Sequence, residues 1–344
     1  MIARAGLAGI LGLCFVQAVC FRCHAEETAT AAIDGALAAA EARQGKTSPY
    51  LLPVIEELAQ LRQRQGELGE AAALRRRALD IAVGNFRSDS PSAAEAMAAL
   101  AAIEIDRRRY LDAEPLLIIA ENVLSAWVAP DHPAMVTVLA GRSRVALARG
   151  DKGPAEAWAR RAVEMARHNP HRRSTEALRA LGAALTAEDK FAEAEPLLRE
   201  ALTQDREQHG DGADTARSLA LLAHLYWREE QSEKALPLIE EAAAIDQVRL
   251  GATHPFVADD FFDLALVYDA LRRDDAALRA LQSARATLER GAGRETVRAA
   301  YVEIELSRLY RERGRDAEAD AAFHDARRIL NKAEAEEHKR EREV

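Results

Sequence analysis

Nine histidines and three cysteines are the residues of this 344-residue chain that raise the question of metal or acid–base chemistry. His168 and His171 stand three apart on either side of Asn169-Pro170. That spacing suits two metal ligands, but no third ligand is evident nearby, so no metal site is expected. His132 and His254 each precede a proline, and this repeated place points to a capping or loop contact rather than to a base or ligand. Lys152-Gly153-Pro154 lacks the glycine spacing of a phosphate loop, and no Gly-x-Ser-x-Gly elbow occurs. Pairs of Asp and Glu are abundant, but on helices such pairs are mostly solvated faces. The chain therefore reads as a non-enzyme, with no catalytic residue, cofactor or metal.

The cysteines tell of location instead. Cys14, Cys20 and Cys23 all lie in residues 1–25, where Arg4 precedes an uncharged, mostly apolar run from Ala5 to Phe21 and Ala25 precedes Glu26. A basic start, an apolar middle and a small residue at the end form a secretory signal peptide pattern. The expected protein is exported, periplasmic or secreted, with a cysteine-free mature chain starting near Glu26. An uncleaved membrane anchor is the alternative, since the run is at the short end of the spanning range. Cleavage removes Arg4 and Arg22 and no acid, deepening the net charge from −9 to −11. So acidic a chain is a poor partner for nucleic acid or an anionic membrane.

The rest of the chain is built on a ladder of alanine pairs seven residues apart, a spacing that puts both methyl groups on one face of a helix. The pairs are Ala71/Ala78, Ala113/Ala120, Ala155/Ala162, Ala194/Ala201, Ala235/Ala242, Ala277/Ala284 and Ala319/Ala326. The first members recur at intervals of 42, 42, 39, 41, 42 and 42 along the sequence, a period that signals a solenoid of stacked two-helix units. Each unit reads as a first helix, a short polar turn starting six residues before the first ladder alanine, and a second helix carrying the pair. Leucine stands thirteen residues before the ladder alanine in six units; the third has Arg142, and its following interval is three residues short, where a bend or shift is expected. Pro49, Pro91, Pro133 and Pro255 all stand at the same distance ahead of a ladder alanine and mark starts of first helices. Pro115, Pro196 and Pro237 are expected to mark starts of second helices. The domain plan is a signal peptide at 1–25, a capping half repeat at 26–47 with Ala29 and Ala36 continuing the ladder, a solenoid at 48–331 and a charged tail at 332–344.

These units resemble tetratricopeptide (TPR) repeats. The period and the Ala194–Leu202 motif Ala-Glu-Pro-Leu-Leu-x-x-Ala-Leu resemble the kinesin light chain class, as does the loop from Leu250 to Ala258 with its His254-Pro255. The resemblance implies an all-α fold, a right-handed superhelical solenoid of about seven two-helix TPR-like repeats. It implies a protein- or peptide-binding scaffold whose first helices line a concave groove. The groove positions in the fourth unit are Glu176, Arg179, Ala183 and Thr186, and the later units follow in the same register. Those positions, with Arg228 beside them, suggest a peptide-binding set of Arg179, Arg217, His224, Trp227, Arg228, Phe262, Tyr301, Arg308 and Arg311. Aromatics with arginine are the common currency of binding hot spots. A membrane-anchored accessory subunit and a ligand- or carbohydrate-handling factor are the other readings.

Overall fold

A computed structural model describes residues 30–127, 132–168, 175–291 and 296–343. The expected signal peptide, with its cleavage point and all three cysteines, lies outside these residues. So do Ala29 and His171. No strand occurs among the described residues. Helix α1 covers 30–44, and a 3-10 turn at Pro49–Leu51 leads into α2 (Leu52–Arg64). Then follow α3 (Leu68–Phe86), α4 (Pro91–Asp106), α5 (Tyr110–Trp127), α6 (Pro133–Arg149), α7 (Lys152–His168) and α8 (Thr175–Ala187). The remainder are α9 (Phe191–His209), α10 (Ala213–Arg228), α11 (Ser232–Leu250), α12 (Pro255–Ala270), α13 (Asp274–Arg290), α14 (Val297–Glu312) and α15 (Asp316–Glu343). The helices fall into two compact units, one ending at Val145 and the other starting at Ala146, so the division lies within α6, while Asn169-Pro170, where a bend was expected, lies outside the described residues. Within each unit the chain is an all-α stack of helical hairpins, the architecture of a repeat solenoid.

One turn closes every hairpin. The residue five before each first ladder alanine has a positive φ: Gly66, Arg108, Gly150, Asp189, Glu230, Arg272 and Gly314, between 58° and 85°. The next N–H reaches back five residues to a carbonyl, as in Glu67 to Arg62, Lys190 to Leu185 and Arg315 to Tyr310, each at 2.9 Å. The left-handed residue donates to the carbonyl three before it, as Asp189 does to Thr186 at 3.1 Å. This pair of bonds is the Schellman termination, which satisfies the last carbonyls of the first helix. The ladder alanine then donates the first i→i−4 bond of the second helix, as Ala194 does to Lys190 at 3.1 Å.

Because the second helix begins directly after this turn, Pro115, Pro196 and Pro237 do not mark its start. Each is the sixth residue of its helix, a correction to the sequence reading. A proline there gives up one helical hydrogen bond, and all three lie on the exposed face, where water can solvate the freed carbonyl. First helices do begin at Pro91, Pro133 and Pro255, while Pro49 opens the 3-10 turn. Without proline, α10 and α14 still start at that same distance ahead of their ladder alanine, at Ala213 and Val297. At α14 and α4 the residue before the helix caps it, whereas Gly212 before α10 makes no side-chain cap. Thr296 Oγ1 accepts from Ala299 N at 3.2 Å, as Ser90 Oγ does from Ala93 N at 3.2 Å. The two histidines do the same work: Nδ1 of His254 accepts from Phe256 N at 3.1 Å, and Nδ1 of His132 from Ala134 N at 3.4 Å.

All fourteen ladder alanines are buried. So are the six leucines thirteen residues before them, each contributing about 1.5–3 kcal/mol of apolar burial. In the third unit Arg142 instead ion-pairs with Glu121. The ladder does not extend upstream as expected. Ala36 is exposed, and α1 buries Thr30 and Leu37, Leu37 packing on Leu51, Ile55, Leu58, Ala78 and Ile81. Leu37 thus meets both helices of the following hairpin, where the ladder would have placed a small side chain at Ala36. At the other end α15 runs on through the charged segment to Glu343. No helix among the described residues is long and apolar enough to cross a membrane.

Candidate protein-binding face

In the second unit α8, α10, α12 and α14 are the first helices of successive hairpins, and adjacent ones touch. Of the residues expected on their shared face, Arg179 is not available. It is 7% exposed, its guanidinium 2.7 Å from Asp205 Oδ2 on α9 and 3.2 Å from Asp214 Oδ1 on α10. Ser218 Oγ donates to the same Asp205 oxygen at 2.6 Å. Arg179 is a buried strut: at its place on α8 the neighbouring helices close over the side chain, which single-helix counting cannot register.

The remaining arginines are exposed or half-buried and paired. Arg228 reaches Asp189 across the repeat boundary at 2.6 Å, and Arg308 reaches Asp269 at 2.8 Å as well as Glu305 and Glu312 on its own helix. Those carboxylates raise the Arg308 pKa despite burial. Arg311 pairs with Asp320 at 2.9 Å, and Arg217 lies over the Phe256 ring at 5.2 Å. Arg217, Arg228 and Arg308 thus brace one repeat against the next, while Arg311 pairs within its own hairpin.

Among the aromatic members, His224 and Trp227 of α10 pack on each other. The His224 and Trp227 rings are 5.4 Å apart, tilted by 42°. Phe262 carries the guanidinium of Arg298 at 4.9 Å, and Arg298 also pairs with Asp259 at 2.5 Å. Burial, with Arg228 and Arg298 nearby, pushes the His224 pKa down to about 4, so its ring is neutral at neutral pH. Tyr301 is 51% exposed, the most open aromatic side chain of the set. Arg298 was missed because the count along α14 began at Tyr301. It stands one turn earlier on the same face of that helix.

A second omission concerns packing. Twelve residues before each first ladder alanine stands a small buried residue: Ala59, Ala101, Ser143, Gly182, Ala223, Ala265 and Ser307. Ser307 Oγ donates to the carbonyl of the ladder alanine Ala319 at 2.8 Å, which shows how closely these two rows meet. The period of the alanine ladder would have revealed this row too. Profiles of the tetratricopeptide repeat match residues 92–168, 173–247 and 220–290, together more than half of the chain. The chain belongs to the tetratricopeptide repeat family.

Among solved structures, this TPR chain is similar in fold to a Rap protein complexed with competence and sporulation factor, at 14% identity over 83% of this chain and 77% of that one, TM-score 0.62. It is also similar to a chain of the APC/C hetero-tetramer Cut9-Hcn1, at 12% identity over 81% of this chain and 46% of that one, TM-score 0.54. A Podosopora anserina putative kinesin light chain with TPR-like repeats aligns over 58% of this chain and 96% of that one, at 22% identity and TM-score 0.41. No curated protein sequence matches. Among the described residues no group of three or more His, Cys, Asp or Glu could hold a metal ion.

Proposed function

We propose that this TPR protein is an exported, non-enzymatic scaffold that binds a protein or an extended peptide on the first-helix face of repeats four to seven. The observation that carries this reading is the aromatic row Trp227, Phe262 and Tyr301, one from each of three successive first helices. Rings on braced helices offer large contact area with little entropy to lose, the usual make-up of a hot spot. The arginines contribute as a frame. Arg228, Arg308 and Arg311 already hold carboxylates, so a ligand acid gains little from them and the aromatics dominate. The Rap protein that shares the fold is complexed with competence and sporulation factor, an instance of this architecture holding a ligand. Export rests on the pattern of Arg4, apolar run and Ala25, and a mature N-terminus near Glu26 in the mass spectrum is its test.

The binding test uses whatever partner the full chain captures from its native compartment. Tyr301→Ala and Trp227→Ala are each expected to weaken the measured affinity by about 1–2 kcal/mol with helical content unchanged. Unchanged affinity in both variants overturns the assignment of this face. Lost helicity in Trp227→Ala alone makes that residue a packing residue and leaves Tyr301 to decide.

A further inference from the structure

The repeat register allows one helix junction to be compared with the next. At the α9–α10 junction, Asp205 stands eleven residues after its ladder alanine and Ser218 seventeen before the next. Arg179, fifteen before Ala194, completes a buried and neutralised set. At the α11–α12 junction the same three places hold Asp246, Asp260 and Ala220. The hydroxyl donor has become a second carboxyl, and the cation has become a methyl group. Asp246 is 4% exposed and Asp260 5%, and the two carboxyls lie within hydrogen-bonding reach of each other. No donor reaches Asp246 Oδ1 or Asp260 Oδ2, as none reaches Asp205 Oδ1, but here no hydroxyl stands opposite the carboxyl. Two ionised carboxylates can only accept, so as anions the pair would be both unsatisfied and repulsive in a site removed from water.

The charges around the pair do not cure this. From α10, Asp214 and Arg217 face it; from α12, Asp259 and Asp263 do. Arg298 of α14 is engaged with Asp259. Burial raises the Asp246 pKa to about 7, with Asp259 and Asp214 adding to it and Arg217 opposing. Burial first and Asp246 next hold Asp260 well above the ordinary carboxyl range.

We propose that Asp246 and Asp260 share a proton across the α11–α12 contact, and that losing it loosens the junction between repeats five and six, making this one joint of the solenoid pH-sensitive. With one proton between them, one carboxyl donates to the other, as Ser218 Oγ donates to Asp205 Oδ2. Without it, two buried anions face each other. In the opened junction both groups meet water and ionise in the ordinary range, so opening releases protons above about pH 4. The closed form binds the excess protons, and stability therefore falls as pH rises through that window.

The test is native-state amide exchange of α11 and α12 between about pH 5 and 8, on the full chain and on Asp260→Asn, whose amide can donate to Asp246. The ratio of the two rates at each pH cancels the intrinsic pH dependence of exchange. The expected ratio climbs with pH, by up to about tenfold per unit for each proton released, and stays flat for the α9 and α10 amides. A ratio independent of pH overturns the proposal. If Asp260→Asn does not fold, the pair Ala220→Arg/Asp260→Ser rebuilds the α9–α10 arrangement and serves in its place. Infrared absorption supplies a direct check: a protonated carboxyl band at neutral pH is expected in the native chain and lost in both Asp246→Asn and Asp260→Asn. Its absence from the native chain also overturns the proposal.

Discussion

Replacing Gly182 by alanine should destabilise this protein, although the same change in an open helix stabilises. Gly182 lies within α8 in the row of small residues twelve before the ladder alanine. A Cβ built there would overlap Cδ2 of Leu198 on α9 and sit 2.5 Å from its Cγ. Carbon atoms prefer about 3.5–4.0 Å, so the two helices must part by roughly 1 Å or Leu198 must leave its rotamer. Leu198 is fully buried and has little room to do so. Overpacking of this kind costs about 1–3 kcal/mol, and removing glycine from a helix interior returns up to about 1, for a net loss on the order of 1–2 kcal/mol. Gly84 in α3 is the control: nothing lies within 4 Å of its added Cβ, and Gly84→Ala should gain up to about 1 kcal/mol. Leu198→Ala alone should cost about 2–5 kcal/mol, and the double variant less than the sum, because the new methyl enters the space the leucine left. Repeats open in sections, so the assay is native-state exchange of α8 and α9 amides rather than a single melting point. A Gly182→Ala chain as protected as the wild type, or a double variant whose losses simply add, would show that the two helices do not meet at this row.

The turns give a second contrast. Glu230, exposed and left-handed, should tolerate Glu230→Gly with a gain of up to about 1 kcal/mol in the local opening energy, whereas Gly66→Ala at the equivalent turn should lose about 1. Equal signs in amide exchange would contradict the shared turn geometry. Arg179→Met leaves Asp205 buried without its cation and should cost about 3–5 kcal/mol, read as lost protection in α8, α9 and α10; an unaffected stack would show the pair to be solvated. His224 titrates low in the folded chain, so it binds fewer protons there than when unfolded, and its contribution to stability is lost as pH falls from about 6.5 to about 4. Its ring resonances should move near pH 4, and a shift near 6.5 would place the imidazole in water.

The periodic spacing of small residues was enough to find the hairpins, because every repeat meets the same neighbours and so repeats the same constraint at the same place. The Leu and Ala rows, the polar turns and the starts at Pro91, Pro133 and Pro255 were legible for that reason. The prolines of the second helices were misread because a helix boundary is set by which carbonyls the turn satisfies, and the Schellman bonds begin the helix five residues earlier than proline preference suggests. The aromatic row could be assigned to one face by counting along helices. Which members stay open could not, since counting put both Arg179 and Tyr301 on that face, and only the adjacent helices decide that Arg179 is covered and Tyr301 exposed.

The sequence by itself determined the repeat, its period, its small-residue seams and its family, all of which depend on order along the chain. Tertiary structure alone decided that Arg179 is a buried strut on Asp205, and that Asp246 and Asp260 lie buried beside each other with Arg217 nearby. Those outcomes depend on charges far apart in the chain being brought within a few ångströms and removed from water, where a carboxylate's partner decides whether it can remain charged.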